Sequence, residues 1–259
     1  MFHSFVNLPV WIILFVCTSI FLSVMFGARH IVRRYSTEHQ AETIDLAKSM
    51  NGPTAASLAF LVGFAVTLSV GTITAAQQAV EKVAIEAQQL ALVADSLENT
   101  SEAEKINASL TAYLTTIAED DRTSLEAGQF VEMPSFVDLE TLQEDVRKLS
   151  VSGSTTKSDT ASTLQSSVSN LARAQADLNA VARRDVPPIV LQLLFLTGVL
   201  SAVTVGIVAA GVERPRLIVG WALISALGLT VVLALNDPFG GGVSVTFQPL
   251  LDAASRIGL

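Results

Sequence analysis

The chain has 259 residues, half of them apolar and 15% charged, with mean hydropathy +0.50 and formal net charge −8. Acidic residues outnumber basic ones and aromatics are few, which argues against nucleic-acid binding and against docking on anionic lipid. Cys17 is the only cysteine, so no intrachain disulfide can form.

Four long stretches lack Lys, Arg, Asp and Glu: Met1 to Ala28, Ser49 to Val80, Val186 to Val212, and Leu217 to Asn236. A helix needs roughly 20 apolar residues to cross a bilayer core about 30 Å thick, and each stretch is long enough. In hydrocarbon the backbone must satisfy itself, which leaves helices or closed barrels. Continuous apolar runs without alternation select helices. The expectation is an all-α, multi-pass protein of the cell membrane, in contact with the lipid bilayer. Residues 1–76 would hold spans one and two with a short basic loop. An acidic helical domain, 77–186, is inserted between spans two and three, and 187–259 holds spans three and four with a C-terminal NDPFGGG segment.

Secretory signals carry their positive charge ahead of the apolar run. Here Arg29, Arg33 and Arg34 follow it, so the first stretch reads as an uncleaved anchor, with Trp11 at the interface. The connection from Ala28 to Gly52 is basic through these three arginines and Lys48, and Arg214 and Arg216 mark the loop between spans three and four. Basic short loops stay in the cytoplasm, which places the acidic domain outside. Lys82, Arg183 and Arg184 weigh the other way. The acidic domain holds 9 basic and 18 acidic residues, and the remainder is close to neutral.

Pro53, suited to a first helical turn, opens the second span. The pattern then continues beyond the membrane through a seam of Val80, Val83, Ala87, Leu90, Ala94 and Leu97. A second seam before span three contains Leu164, Val168, Leu171, Gln175, Leu178 and Ala182. Alternating three- and four-residue steps are coiled-coil-like, and the two segments should pack antiparallel as a stalk. Between them, Ser101-x-x-Glu104 has capping-box spacing ahead of Ile106, Leu110, Tyr113 and Ile117, and Ser135-x-x-Asp138 starts a further helix ending near Leu149. The Ser/Thr-rich run from Ser150 to Thr163 reads as a mobile linker. Asn99 and Asn107 match the glycosylation-acceptor pattern, a pattern frequent by chance.

No phosphate loop, HExxH, CxxC or nucleophile elbow occurs, so the sequence carries no enzyme signature and calls for no cofactor. His30, Glu38, His39 and Glu42 have ligand chemistry, but a solvated amphipathic segment accounts for them and no metal site is expected. On span two, Phe60, Phe64, Thr67, Gly71, Thr74 and Gln78 share one helical face. Apolar rings followed by small and hydroxyl residues can build a hydrophobic constriction with a wetter mouth. Close helix packing through Gly63, Ala65, Ser69 and Gly71 accounts for the same span without a pore. Glu86 on the helix extension and Asp237 after span four are the acidic candidates for ion contact. Asn236, Asp237, Pro238 and the glycines after them also make an ordinary helix stop, with Phe239 at the membrane interface.

Several ordered pieces together resemble the bestrophin-like membrane proteins: LPVWIILF in the first span, ARHIVRR after it, LVGF in span two, IEAQQL with Glu86-Ala87, and NDPFGGGVSVTFQPL near the end. The family pattern Leu-Asp-x-Pro-Phe-x-Gly is met by Leu235, Pro238, Phe239 and Gly241, with the acid displaced by one position to Asp237. The resemblance implies a four-span fold similar to the bestrophins, which are pentameric anion channels with the helical domain in the cytoplasm. Bestrophins follow their Asn-Pro-Phe-Gly segment with an acidic run that helps bind calcium; Gly240, Gly241, Gly242, Val243 and Ser244 stand in its place here. Two functions follow. One is a homo-oligomeric ion channel, or channel-like pore, with span two lining the path. The other is a non-conducting membrane protein whose outer helical domain binds a partner or senses the envelope.

Overall fold

A computed structural model describes residues 9–34, 37–126, 133–152, 158–184, 186–212, 216–236, 238–240 and 244–258. Among these residues the secondary structure is helical, with no strand. Four helices are long and apolar enough to cross a membrane: Val10–Val32, Glu38–Asp95, Pro188–Gly211 and Ile218–Leu235. The chain divides into two compact units, one built from residues 1–71, 185–237 and 241–243, the other from 72–184, 238–240 and 244–259.

The first unit contains α1 (Val10–Val32), the N-terminal part of α2 (Thr37–Asp95), α7 (Pro188–Val208) and α8 (Arg216–Leu235). Helix α1 packs on α7 and α8 through Ile13, Cys17, Phe21 and Met25, a stripe with four-residue spacing. Lipid tails are as apolar as these side chains, so association rests on close packing and not on escape from water. Small residues on α7 permit it: Gly198, Ala202 and Gly206 recur every fourth position on the buried face. A Cβ on Gly206 would lie 2.4 Å from the Met25 carbonyl oxygen, and one on Gly198 would lie 3.1 Å from the Phe21 ring. Arg29 in the last turn of α1 and Arg33 just after it close the far end of α7. Arg29 Nη2 donates to the Val212 carbonyl at 2.8 Å, while Arg33 donates to Ala210 O at 3.3 Å and Val212 O at 3.1 Å. Guanidinium groups thereby satisfy carbonyls beyond a helix C-terminus, where the dipole also favours positive charge.

Helix α2 starts at Thr37, not at Pro53, so most of the expected loop from Ala28 to Gly52 is helical. Pro53 sits inside the helix, where it cannot donate to the carbonyl four residues back. The next residue, Thr54, turns its hydroxyl into this region, donating to Met50 O at 3.0 Å and Asn51 O at 3.1 Å. The carbonyl that Pro53 leaves without an amide donor is that of Ser49, one residue before the pair that Thr54 engages.

The second unit contains the C-terminal part of α2, then α3 (Thr100–Thr116), a π-helical turn (Ile117–Asp121) and α4 (Arg122–Glu126). It continues with α5 (Ser135–Ser152), α6 (Ser158–Ala182) and α9 (Gln248–Ile257). Both seams lie inside it: Val80, Val83, Ala87, Leu90, Ala94 and Leu97 from α2, and Leu164, Val168, Leu171, Gln175, Leu178 and Ala182 from α6. They share one core with Ile106, Leu110, Tyr113 and Ile117, and Lys82 Nζ meets Asp177 at 2.7 Å across α2 and α6. The cap of α3 is Asn99, whose side chain accepts from the Ser101 amide at 3.2 Å, two residues earlier than the Ser101-x-x-Glu104 box places the start. Of the expected linker, Ser158 to Thr163 is the first part of α6, Ser150 to Ser152 ends α5, and 153–157 lie outside the described residues.

The C-terminal segment belongs by its contacts to this second unit. Phe239, expected at the membrane interface, is buried in the helical core against Phe247, with ring centroids 5.8 Å apart. The Val245 amide donates to Pro238 O at 2.9 Å, and Gln77 Oε1 accepts from the Thr246 amide at 3.2 Å. Helix α9 then lays Leu250, Ala253 and Ala254 against α3 and the π turn.

Gly206→Val should destabilise the detergent-solubilised protein by about 1–3 kcal/mol or more, because the new side chain meets rigid backbone. Gly220→Ala, with nothing within 4 Å of its Cβ, should leave the thermal transition unchanged or raise it. Leu171→Ala removes a fully buried side chain of the helical core and should cost about 2–5 kcal/mol, measured the same way.

Candidate pore-lining face of the second span

The apolar run of α2 turns Thr54, Leu58, Ala65 and Ser69 into the first unit. The same geometry points Phe60, Gly63, Phe64, Thr67 and Gly71 outward. Phe60 is 71% exposed and Phe64 45% exposed, and their rings stack with centroids 6.3 Å apart and planes 6° from parallel. The pair is one helical turn apart, so the two rings pack against each other along α2. Cβ atoms on Gly63 and Gly71 would meet nothing within 4 Å, so packing inside the protomer does not explain these glycines. The Thr67 hydroxyl turns back to Gly63 O at 2.9 Å, which satisfies it within the helix.

Within the second unit, Thr74 and Gln78 on the same helix are also exposed. Glu86, one of the two acidic candidates, is partly buried on the α2 extension, four residues after Lys82. The Lys82 ammonium is held above its ordinary pKa first by its bond to Asp177, then by the charge of Asp177, with Glu86 adding to it. Asp237, the other acidic candidate, lies outside the described residues. Chemically this is a face of aromatic rings, glycines and hydroxyls without a formal charge between Ser49 and Val80. Such a lining can hold water out or let it pass according to width, and it offers no nucleophile or acid–base pair.

His30, Glu38, His39 and Glu42 are exposed, and no group of three His, Cys, Asp or Glu side chains gathers among the described residues. Sequence patterning missed two polar arrangements. One is the pair of arginine contacts at the end of α7, hidden because basic residues after a span read first as topology signals. The other is a buried chain in the helical unit. Tyr113 Oη donates to Gln175 Oε1 at 2.9 Å, Gln175 Nε2 donates to Ser135 Oγ at 3.2 Å, and the Ser135 hydroxyl donates to Asp121 Oδ2. The signal for Asp121 was present: it continues the apolar stripe of Ile106, Leu110, Tyr113 and Ile117 by one further turn.

Residues 20–250 match the family model of the Bestrophin-like domain. Solved structures agree with this. A variant of a bacterial bestrophin homologue from Klebsiella pneumoniae superposes with TM-score 0.67 at 14% identity, over 93% of this chain and 97% of that one. Another structure of that homologue gives TM-score 0.67 at 14% identity over 96% of each chain. A structure described as a membrane protein gives 0.69 at 13% identity, over 96% of this chain and 97% of that one. No match was found among curated proteins. Four membrane-length helices, an all-helical architecture and a family match covering most of the sequence converge on one conclusion: this chain belongs to the bestrophin-like family of membrane proteins.

Proposed function

We propose that the protein is a homo-oligomeric ion channel in which α2 lines the conducting path, with Phe60, Phe64, Thr67, Gly71, Thr74 and Gln78 as lining residues. The observation that carries this reading is the outward face of α2 in the first unit. It places a stacked aromatic pair beside Gly63 and Gly71, where no described atom comes within 4 Å of an added Cβ, and beside exposed Thr67. Exposed apolar side chains occur elsewhere too, with Trp11, Phe15, Leu196 and Ile224 on α1, α7 and α8. Several copies arranged around an axis would turn Phe60 and Phe64 into two successive apolar rings, which favour dewetting. Thr67, Gly71 and Thr74 would form a wider, more polar mouth. Pentameric assembly is the copy number that the family resemblance supports. Glu86 and Asp237 are kept as ion-contact candidates, and the seams of α2 and α6 are read as a coiled-coil-like stalk. On this layout 77–186 is the extramembrane domain, inserted between spans two and three. The protein is not an enzyme.

A second reading has its own support. Leu92 and Val137 of the helical unit are 70% and 66% exposed, apolar positions that suit a partner-binding or envelope-sensing domain on a non-conducting protein. Reconstitution separates the two. The double variant Phe60→Ala/Phe64→Ala should raise leak conductance several-fold over wild type while the particles keep their symmetry. Silent wild-type protein, or a double variant that loses assembly without any conductance, favours the non-conducting reading.

The orientation follows charge, with the connection after α1 in the cytoplasm and the helical unit outside. In a Cys17→Ser background, an impermeant thiol reagent on intact cells should label Glu98→Cys and spare Glu38→Cys. The reverse pattern would place the helical unit in the cytoplasm, as the resemblance to bestrophins implies.

A further inference from the structure

Asp121 is almost completely buried at the end of the π turn, and its carboxylate is the last acceptor of a four-residue chain. Every donor in that chain points the same way: Tyr113 to Gln175, Gln175 to Ser135, and the Ser135 hydroxyl to Asp121. The Ser135 amide donates to the other carboxylate oxygen at 3.2 Å. Ser135 opens α5, so Asp121 caps that helix from another element and satisfies an amide that would otherwise be orphaned. A carboxylate that only accepts completes this chain. A protonated one does not, because Ser135 Oγ would then face donors from both Asp121 and Gln175 and must turn its own hydrogen elsewhere.

The geometry points to a proton-responsive latch in the helical unit: Asp121, by taking up a proton from water, changes how the π turn holds α5 and α6. Buried polar chains of this kind are fully satisfied in one protonation state and rearranged in the other. The π turn fits the assignment, since such turns occur as local interruptions of α-helices and are frequent at functional positions.

The surroundings set the sign. Burial is the largest influence and raises the Asp121 carboxyl above the ordinary 3.8; the two Ser135 bonds lower it by less. Asp120 on the same turn and Asp138 on α5 add repulsion and raise it further. From α3 the titratable neighbour is Tyr113, whose phenol is pushed well up by burial and by Asp121, so it stays protonated. Helix α6 contributes neutral Gln175. Arg122 on α4 is exposed, and α9 presents apolar Leu250, Ala253 and Ala254 inward while Asp252 and Arg256 are exposed. A carboxyl whose value is raised on folding contributes stability that is complete below the unfolded value and lost as pH rises through the folded one. Acidification from neutrality toward 3.8 should therefore stabilise the helical unit against unfolding, because losing a buried charge outweighs the Ser135 bond that protonation displaces, the opposite of an ordinary surface carboxylate.

The test uses full-length protein in detergent. Thermal stability should rise for wild type relative to Asp121→Asn as pH falls through this window, and difference infrared spectra should show a protonated-carboxyl band in wild type that Asp121→Asn lacks. Ser135→Ala removes a bond that favours the ionised form, so its band should appear at a higher pH than in wild type. Parallel stability profiles for wild type and Asp121→Asn would overturn the latch. If Asp121→Asn does not fold, the infrared titration decides alone: a band that does not move in Ser135→Ala, or that appears only at or below the ordinary aspartate range, overturns it.

Discussion

A backbone crossing hydrocarbon has no water to turn to, so each span must keep its hydrogen bonds within itself and leave association to side-chain packing. The first unit is organised by that constraint. Gly198, Ala202 and Gly206 let α7 approach α1 until Gly206 lies against the Met25 backbone. Just beyond the end of α7, Arg29 and Arg33 donate to the Ala210 and Val212 carbonyls. Where Pro53 interrupts α2, the Thr54 hydroxyl is directed at nearby carbonyls.

The second unit has a hydrophobic core of its own. Its core buries Leu90, Leu110, Leu142 and Leu171 completely, and burial of one such side chain is worth about 1.5–3 kcal/mol. The C-terminal segment completes this core through Phe239, Phe247 and α9. A polar chain ending on Asp121 passes through the same interior, and its geometry is what keeps a carboxylate tolerable there.

Much of the fold was legible because its signals are strong. Runs free of charge identify the four spans, and three–four periodicity identified both seams residue by residue. The points that were not legible have particular causes. Pro53 is an acceptable first helical residue, so nothing local showed that α2 begins at Thr37. Phe239 follows a span, and an aromatic there reads as an interfacial anchor until the fold places it beside Phe247. Asp121 sits in the run Glu119-Asp120-Asp121, and although it continues the stripe through Ile117, an acidic residue there does not announce burial until the π turn places it inside. The α2 face was named from helical spacing, and its exposure in the first unit agrees with that spacing, whereas its role depends on copies of the chain.

That role is the central claim, and water access along α2 tests it most directly. Thr67→Cys in a Cys17→Ser background, reconstituted and exposed to a charged thiol reagent during current recording, places a probe at one position of the proposed lining. Modification should be rapid and should change the current. A current indifferent to the reagent, with the introduced thiol modified only by lipid-soluble reagents, would put this face of α2 against lipid and contradict the account.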